Sequence, residues 1–344
     1  MAVAAVEKCI VGRTADVQCL PAWNAVFSSA GFLVNPERMT TRPLSLGFAG
    51  LGVMGRPMAS HLAAAGHAMT LYDVVPGLAS ELAATLGAHA ASTPAELAAR
   101  SDVVVTMVPN GSVVQQIVCG DDGLLRGLKP GSLVLDTSSS EPWLTEATGR
   151  LLVAAGCAMV DAPVSGAQWG AEAAELVFMC GGSEADVERV RPLLDVMGKA
   201  VFHLGPLGAG HAMKCLNNLV TAGNFLAVVE ALAIGKRVGL DPEAMVDVLD
   251  RSTGMSWISQ THLRQRVISR SFDDPFKLQL MLKDIGIAMQ LARSADVPAP
   301  LSALGHELWR AAARDAAADA SVSELARWVE KMTKTEITAG ASRR

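Results

Sequence analysis

Between residues 44 and 204 the apolar positions alternate between two patterns. Short continuous runs at 44–49, 102–108, 132–136, 157–161, 176–180 and 201–204 predict buried strands, and a further run ends at Asp73. Between them, apolar residues recur every three or four positions. Met58, Leu62 and Ala65 share one face, and the stretches 78–87, 113–118 and 184–197 read likewise as helices. Thr93-Pro94-Ala95-Glu96 has the form of a capping box, with an N-cap threonine, a proline in the first turn and an acid three residues on. Strands alternating with helices imply right-handed crossovers and a mostly parallel sheet. After Gly205-Pro206-Leu207-Gly208-Ala209-Gly210 the strands stop. Residues 211–237 contain few breakers and predict one helix of roughly 40 Å at 1.5 Å per residue. Helices over 242–251, 257–267, 277–294, 300–318 and 322–332 follow.

The first apolar run leads directly into Gly50-Leu51-Gly52-Val53-Met54-Gly55, and the second ends on an acid. Strand, glycine turn, helix, strand and acidic residue form the dinucleotide fingerprint in its required context. Gly50 permits the tight turn, Gly52 lets pyrophosphate approach a helix N-terminus, and Gly55 lets helix and strand pack closely. The fold class is therefore α/β, an N-terminal Rossmann-type dinucleotide-binding domain followed by an all-helical C-terminal domain. The boundaries are an N-terminal appendage over 1–43, the nucleotide domain over 44–207, the helical domain over 208–335 and a frayed tail over 336–344. Asp73 decides the cofactor. Its carboxylate accepts hydrogen bonds from ribose hydroxyls and repels a 2′-phosphate, and no Arg or Lys follows in Val74-Val75-Pro76-Gly77. NAD is expected over NADP; an Asp that caps the following helix is compatible with this.

Composition narrows the classes. Half of the 344 residues are hydrophobic and the net charge is -5 with no long basic patch, which argues against nucleic acid as a partner. The six cysteines are scattered, as expected of reduced residues in a cytoplasmic protein. No His, Cys or acid cluster has metal-ligand spacing, so no metal is expected. Apolar runs are broken before membrane length, and no membrane association is expected. The first forty residues show no firm period, and Met39 is an alternative start.

Three further segments carry candidate chemistry. Residues 137–140 offer hydroxyls at a strand end, where Ser138 can touch nicotinamide or substrate; Ser140 reads better as a helix cap before Pro142. The small-residue loop 161–172 can present N–H groups to a carboxylate. On the long helix, Lys214 and Asn218 lie one turn apart on a shared face among mostly apolar neighbours. A desolvated lysine there is a candidate proton acceptor, against the alternative of a snorkelling stem with a solvated head. His211 is a second candidate base. Lys283-Asp284, by spacing alone, reads as a surface pair.

Taken in order, four blocks resemble the β-hydroxyacid dehydrogenase family over about residues 44–332. They are Gly50–Gly55 with Met58; Asp161-Ala-Pro-Val-Ser-Gly166 with Gly170-Ala171; Gly208-Ala-Gly-His-Ala-Met-Lys214-Cys-Leu-Asn-Asn218; and Phe276-Lys-Leu-Gln-Leu-Met-Leu-Lys283-Asp284. The resemblance implies that Lys214 is the catalytic acid/base. It implies that Asn218, Ser165 and Gly166 hold a small carboxylate substrate, with Ser138 near the nicotinamide. Val108, Pro109 and Asn110 would line the cofactor pocket, and Lys283 would reach substrate and cofactor from the second domain. It also implies a homodimer or homotetramer. The expected activity is NAD-dependent interconversion of a 3-hydroxyisobutyrate-like acid and its semialdehyde. The alternatives are tartronate semialdehyde (2-hydroxy-3-oxopropionate) reduction and a non-catalytic nucleotide-binding sensor. Two alanines, Ala167 and Ala174, stand where the family pattern has glycine, and Trp169 is bulky for its loop.

Overall fold

The computed structural model describes residues 43–340. All of the expected appendage but Pro43, and the last four residues of the tail, lie outside the described residues. The strands are β1 (Ser45–Ala49), β2 (Ala68–Tyr72), β3 (His89–Ala90), β4 (Val103–Thr106), β5 (Leu133–Asp136), β6 (Ala158–Asp161), β7 (Val164–Ser165), β8 (Leu176–Gly181) and β9 (Gly198–Gly205). The sheet order is β3-β2-β1-β4-β5-β6-β8-β7, with β9 paired to β8. The pairs from β3 through β6 are parallel, as is β8 with β9; β8 runs antiparallel to β6 and β7.

Helices lie on both faces. They are α1 (Gly55–Ala64), α2 (Leu78–Leu86), α3 (Pro94–Ala99), α4 (Gly111–Cys119), α5 (Pro142–Ala154), α6 (Ala167–Glu172) and α7 (Glu184–Met197). Strand alternation explains the two layers. Val103 and Val105 pack with Met58 and Leu62 of α1, while Val104 faces Leu97, Val118 and Leu152 on the other side. That two-sided burial is why the strands read as continuous apolar runs. The chain reverses its layer order between β1 and β4, so the carboxyl ends of those strands open a crevice for ligands.

The second half is helical: α8 (Ala209–Arg237), α9 (Pro242–Asp250), α10 (Trp257–His262), α11 (Leu278–Ser294), α12 (Pro300–Asp315) and α13 (Glu324–Thr333). With 29 residues, α8 is roughly 43 Å long. It is long and apolar enough for a membrane span, contrary to the sequence reading, and half of its most apolar window is buried inside the fold. Phe225, Val229 and Leu232 of α8 pack with Trp309 and Leu325, all fully buried. Each such side chain contributes about 1.5–3 kcal/mol by leaving water.

Several local expectations need correction. Thr93 caps α3 by accepting from the Glu96 N–H, but Glu96 accepts from Ser92, one residue too far back for a capping box. The Ser92 backbone bond, with the His89 and Ser92 side chains, holds the Glu96 carboxyl down at about 2. Ser140 does not cap α5; its hydroxyl donates to Asp136 at 3.2 Å, and Glu141 is the N-cap. The helix expected over 257–267 widens after His262 into a π-helical turn over 263–268. The alanine run ends its helix at Asp315 rather than continuing to residue 318. Residues 336–340 are not frayed: Ile337 is fully buried, and Lys236 donates to the carbonyls of Thr338 and Gly340.

Candidate active site

The glycine loop has the shape a dinucleotide needs. Gly50 sits at φ +96°, and a Cβ there would lie 2.2 Å from the Met107 carbonyl oxygen. A Cβ on Gly55 would come within 1.9 Å of the Gly50 carbonyl oxygen. Both positions are closed to any side chain. Gly52, by contrast, has open space where a Cβ would be. The N-terminus of α1 carries no side-chain cap and no acid in its first turn, so its N–H groups and dipole are open to an anion. These residues fit a pyrophosphate. Leu51, Val53 and Met54 complete the loop between them. Asp73 accepts from the Leu51 N–H at 2.6 Å and the Val75 N–H at 2.8 Å. It pins the loop to the end of β2 and closes a turn over Val75. It does not cap α2, whose N-cap is Gly77.

The next wall consists of the loops after β4 and β5. Asp136 is fully buried and accepts from the Thr106 hydroxyl, the Ser138 N–H and the Ser140 hydroxyl. Ser138 is 1% exposed, and its hydroxyl oxygen accepts from the Val108 N–H at 3.0 Å. The Ser138 side chain, expected beside the nicotinamide or substrate, thus ties the two loops together. Asn110 accepts from the Val113 N–H and caps α4. Pro109 and Ser139 present their carbonyl oxygens to the ammonium of Lys283, which reaches them from α11.

Lys214 lies in the second turn of α8 and is buried, at 9% exposure. A snorkelling lysine is ruled out by that burial. Desolvation pushes its ammonium down from the ordinary lysine range; Asp284 and Cys215 oppose this shift and Lys283 adds to it. Asn218, one turn on, is buried and donates to Asp284 at 2.6 Å. Asp284 is 1% exposed, and Lys283 stands 3.4 Å from it. The pair read as surface charge thus lies inside the site. Asn218 of α8 holds Asp284, and the loop carbonyls of Pro109 and Ser139 hold Lys283, partners that spacing along α11 alone cannot reveal.

Asp161, the first residue of the small-residue segment, sets where α8 begins. It is fully buried and accepts from the N–H groups of Gly208 and His211, both at 2.7 Å. Gly208, the N-cap, has no side chain to do this. The fit is close, since a Cβ on Gly210 would lie 2.0 Å from the Met179 carbonyl oxygen. His211 is fully buried, with Nε2 donating to the Ser138 carbonyl oxygen at 3.0 Å and Nδ1 2.8 Å from the Thr145 hydroxyl. Both ring nitrogens are engaged, so it is a strut between α8 and the β5 loop rather than an alternative base. Asp136 and Asp161 were missed as site residues, and His211 was weighed only as a base. The signal available was a long helix preceded only by glycine, proline and leucine, which needs a cap from elsewhere in the chain.

Ser165 ends β7 and is half-buried; Gly166 follows at φ +136°. No hydrogen bond joins Ser165 to Lys214 or Asn218 among the described residues. Ala167 and Ala174 take φ values of +51° and +55°, the left-handed region that favours glycine. They bracket α6 with strained backbone where the family pattern has glycine. Among the described residues no group of His, Cys, Asp and Glu could hold a metal ion.

The chain is similar to known hydroxyacid dehydrogenases. Residues 45–205 match the family model for the NAD-binding domain of 6-phosphogluconate dehydrogenase. Residues 208–329 match that for the NAD-binding segment of NADP-dependent 3-hydroxyisobutyrate dehydrogenase. The chain is 33% identical over 299 residues to 2-(hydroxymethyl)glutarate dehydrogenase of Eubacterium barkeri, covering 87% of this chain and 99% of that one. It is 35% identical over 271 residues to mitochondrial 3-hydroxyisobutyrate dehydrogenase of Mus musculus, covering 77% and 81%. A solved structure of 3-hydroxyisobutyrate dehydrogenase from Mycobacterium tuberculosis with L-serine superposes with a TM-score of 0.77 at 34% identity, covering 84% and 99%.

Proposed function

The chain belongs to the β-hydroxyacid dehydrogenase family, and on that premise we propose that it interconverts a small 3-hydroxyisobutyrate-like acid and its semialdehyde with NAD. Membership makes it a dehydrogenase acting on a CH–OH group with NAD(P). The observation that carries the finer reading is the burial of Lys214 one turn from Asn218, with Lys283 reaching across from α11. NAD, when bound, supplies the hydride acceptor. The chain's own residues do the rest. Neutral Lys214 takes the hydroxyl proton as the carbonyl forms, and its ammonium returns the proton in reduction. Asn218 fixes the oxygen, and Ser165 and Gly166 hold the carboxylate. Burial of the lysine excludes bulk water from the proton's path. The exposed side of α8, with Met213, Leu216, Val220 and Ile234, supports pairing with a second copy of the chain.

The test is turnover of the purified protein with NAD across short hydroxy acids, including 3-hydroxyisobutyrate and L-serine, with tartronate semialdehyde and NADH in reverse. Turnover concentrated on one 3-hydroxy acid is expected; no turnover on any of them with either cofactor contradicts the proposal.

Two variants probe the binding groups. The wild type should favour NAD strongly in kcat/KM, because a 2′-phosphate would meet the Asp73 carboxylate. Asp73→Asn keeps an oxygen for the Leu51 N–H, so the fold should persist while the preference narrows and KM for NAD rises. Equal kcat/KM for the two cofactors in the wild type contradicts the role of Asp73. Ser165→Ala should weaken turnover of an acid much more than that of its methyl ester. Equal proportional losses for acid and ester would assign the loop another role.

A further inference from the structure

Asp284 is a buried carboxylate whose two oxygens are treated differently. Oδ2 accepts from the Asn218 amide at 2.6 Å, whereas Oδ1 has no hydrogen-bond partner. The nearest cation to Oδ1 is the Lys283 ammonium, at 3.4 Å, and that group donates to the carbonyls of Pro109 and Ser139. Leaving a buried carboxylate oxygen without a donor costs stability, so packing alone does not account for an acid here.

The groups around Lys214 show what the charge is for. From α11 it faces Asp284 and Lys283; on its own helix it adjoins Cys215, with His211 turned away onto Ser138 and Thr145. Glu141, the N-cap of α5, acts on Cys215. Asp284 is the foremost of the groups that favour the lysine's charged form. Lys214 and Asn218 share one face of α8, and Asp284 bonds directly to the second of them.

We propose that Asp284 is the positioning residue of the proton-transfer site, fixing the Asn218 amide by a direct hydrogen bond and giving Lys214 a buried counter-charge. The carboxylate itself exchanges no proton with substrate. It keeps Lys214 within reach of both protonation states, so that one lysine serves oxidation and reduction. Without it, burial and the neighbouring Lys283 would push Lys214 further from its charged form. This rests on the acid/base role proposed above for Lys214.

The experiment reads the lysine directly, apart from turnover. The full-length protein carrying 13C-labelled lysine is titrated by NMR, and the Lys214 signal is assigned by its loss in Lys214→Arg. In Asp284→Asn the Lys214 midpoint should fall by roughly one pH unit or more, as expected on losing a nearby opposite charge. Asp284→Glu, which keeps the charge, should hold the midpoint near wild type. Asn218→Ser, which keeps the acid and removes the amide, should do the same while raising KM for the hydroxy acid. Asp284→Ser carries the same expectation as the asparagine variant should that one fail to fold. A midpoint that is unmoved in the neutral variants, or that moves equally in Asp284→Glu, overturns the proposal. A shift in a protein that oxidises no hydroxy acid would overturn the functional reading, and an unmoved midpoint in one that does would overturn this proposal alone.

Discussion

Lys214→Ala should bind NADH nearly as well as the wild type and lose roughly 10²–10⁴-fold in kcat, the usual span for general acid–base catalysis. Oxidising an alcohol leaves a proton on oxygen, and Lys214 is the basic group beside Asn218 that can take it. Its burial disfavours the ammonium, a shift toward the neutral amine that oxidation needs. The sign of the pH dependence follows. For oxidation, kcat/KM should rise with pH along a limb that lies below the ordinary lysine value, because the active form is the deprotonated one. For reduction the same group must be protonated, so the rate should fall with rising pH across the same range. Lys214→Arg should not restore activity, since guanidinium holds its proton at working pH. His211 offers no fallback, being fully buried and engaged at both ring nitrogens. Fluorescence titration of NADH beside steady-state turnover separates binding from chemistry. Near-wild-type kcat in Lys214→Ala would remove the lysine from the mechanism.

Asp161→Ala should destabilise the protein by about 3–6 kcal/mol, the loss of two charge-assisted hydrogen bonds at about 1.5–3 kcal/mol each. The N–H groups it serves are those of the N-cap Gly208 and of His211 in the first turn of α8. The carboxylate also stands 3.6 Å from the His211 ring. Removing it frees the end of the helix that carries Lys214 and Asn218. Activity should therefore fall even at temperatures where the variant remains folded. Asp161→Asn keeps one acceptor oxygen and should lose roughly half as much stability, on the same per-bond figure. Urea denaturation of the three proteins measures the order, which should be wild type, Asn, Ala. Equal midpoints would show that α8 is capped by something else.

What the sequence disclosed followed from the distance over which each cause acts. The glycine turn, the strand runs and the extent of α8 depend on neighbours within a few residues, so their pattern is legible along the chain. Gly50 at positive φ and the open approach at Gly52 match the jobs read from their positions. Lys214 and Asn218 lie one turn apart, and their shared face was readable for the same reason. Asp161 joins Gly208 and His211 across nearly fifty residues, and Asn218 meets Asp284 across 66. No local period records such partners, so Asp284 passed for a surface charge. Ser138 shows the converse. Its place at a strand end suggested a hydroxyl offered to ligand, but the β4 loop folds back and takes that oxygen for Val108. The anchored tail was missed because Glu330 and Lys236, which hold residues 337–340, come from two other helices.

The most direct measurement of the central claim follows the hydrogen itself. 3-Hydroxyisobutyrate carrying deuterium on its hydroxymethyl carbon is turned over with NAD, and the cofactor product is weighed by mass spectrometry. NADH that has gained deuterium, formed more slowly than from the unlabelled acid, is the predicted result. NADH without the label, or no NADH from this acid or any other short 3-hydroxy acid, would contradict the account.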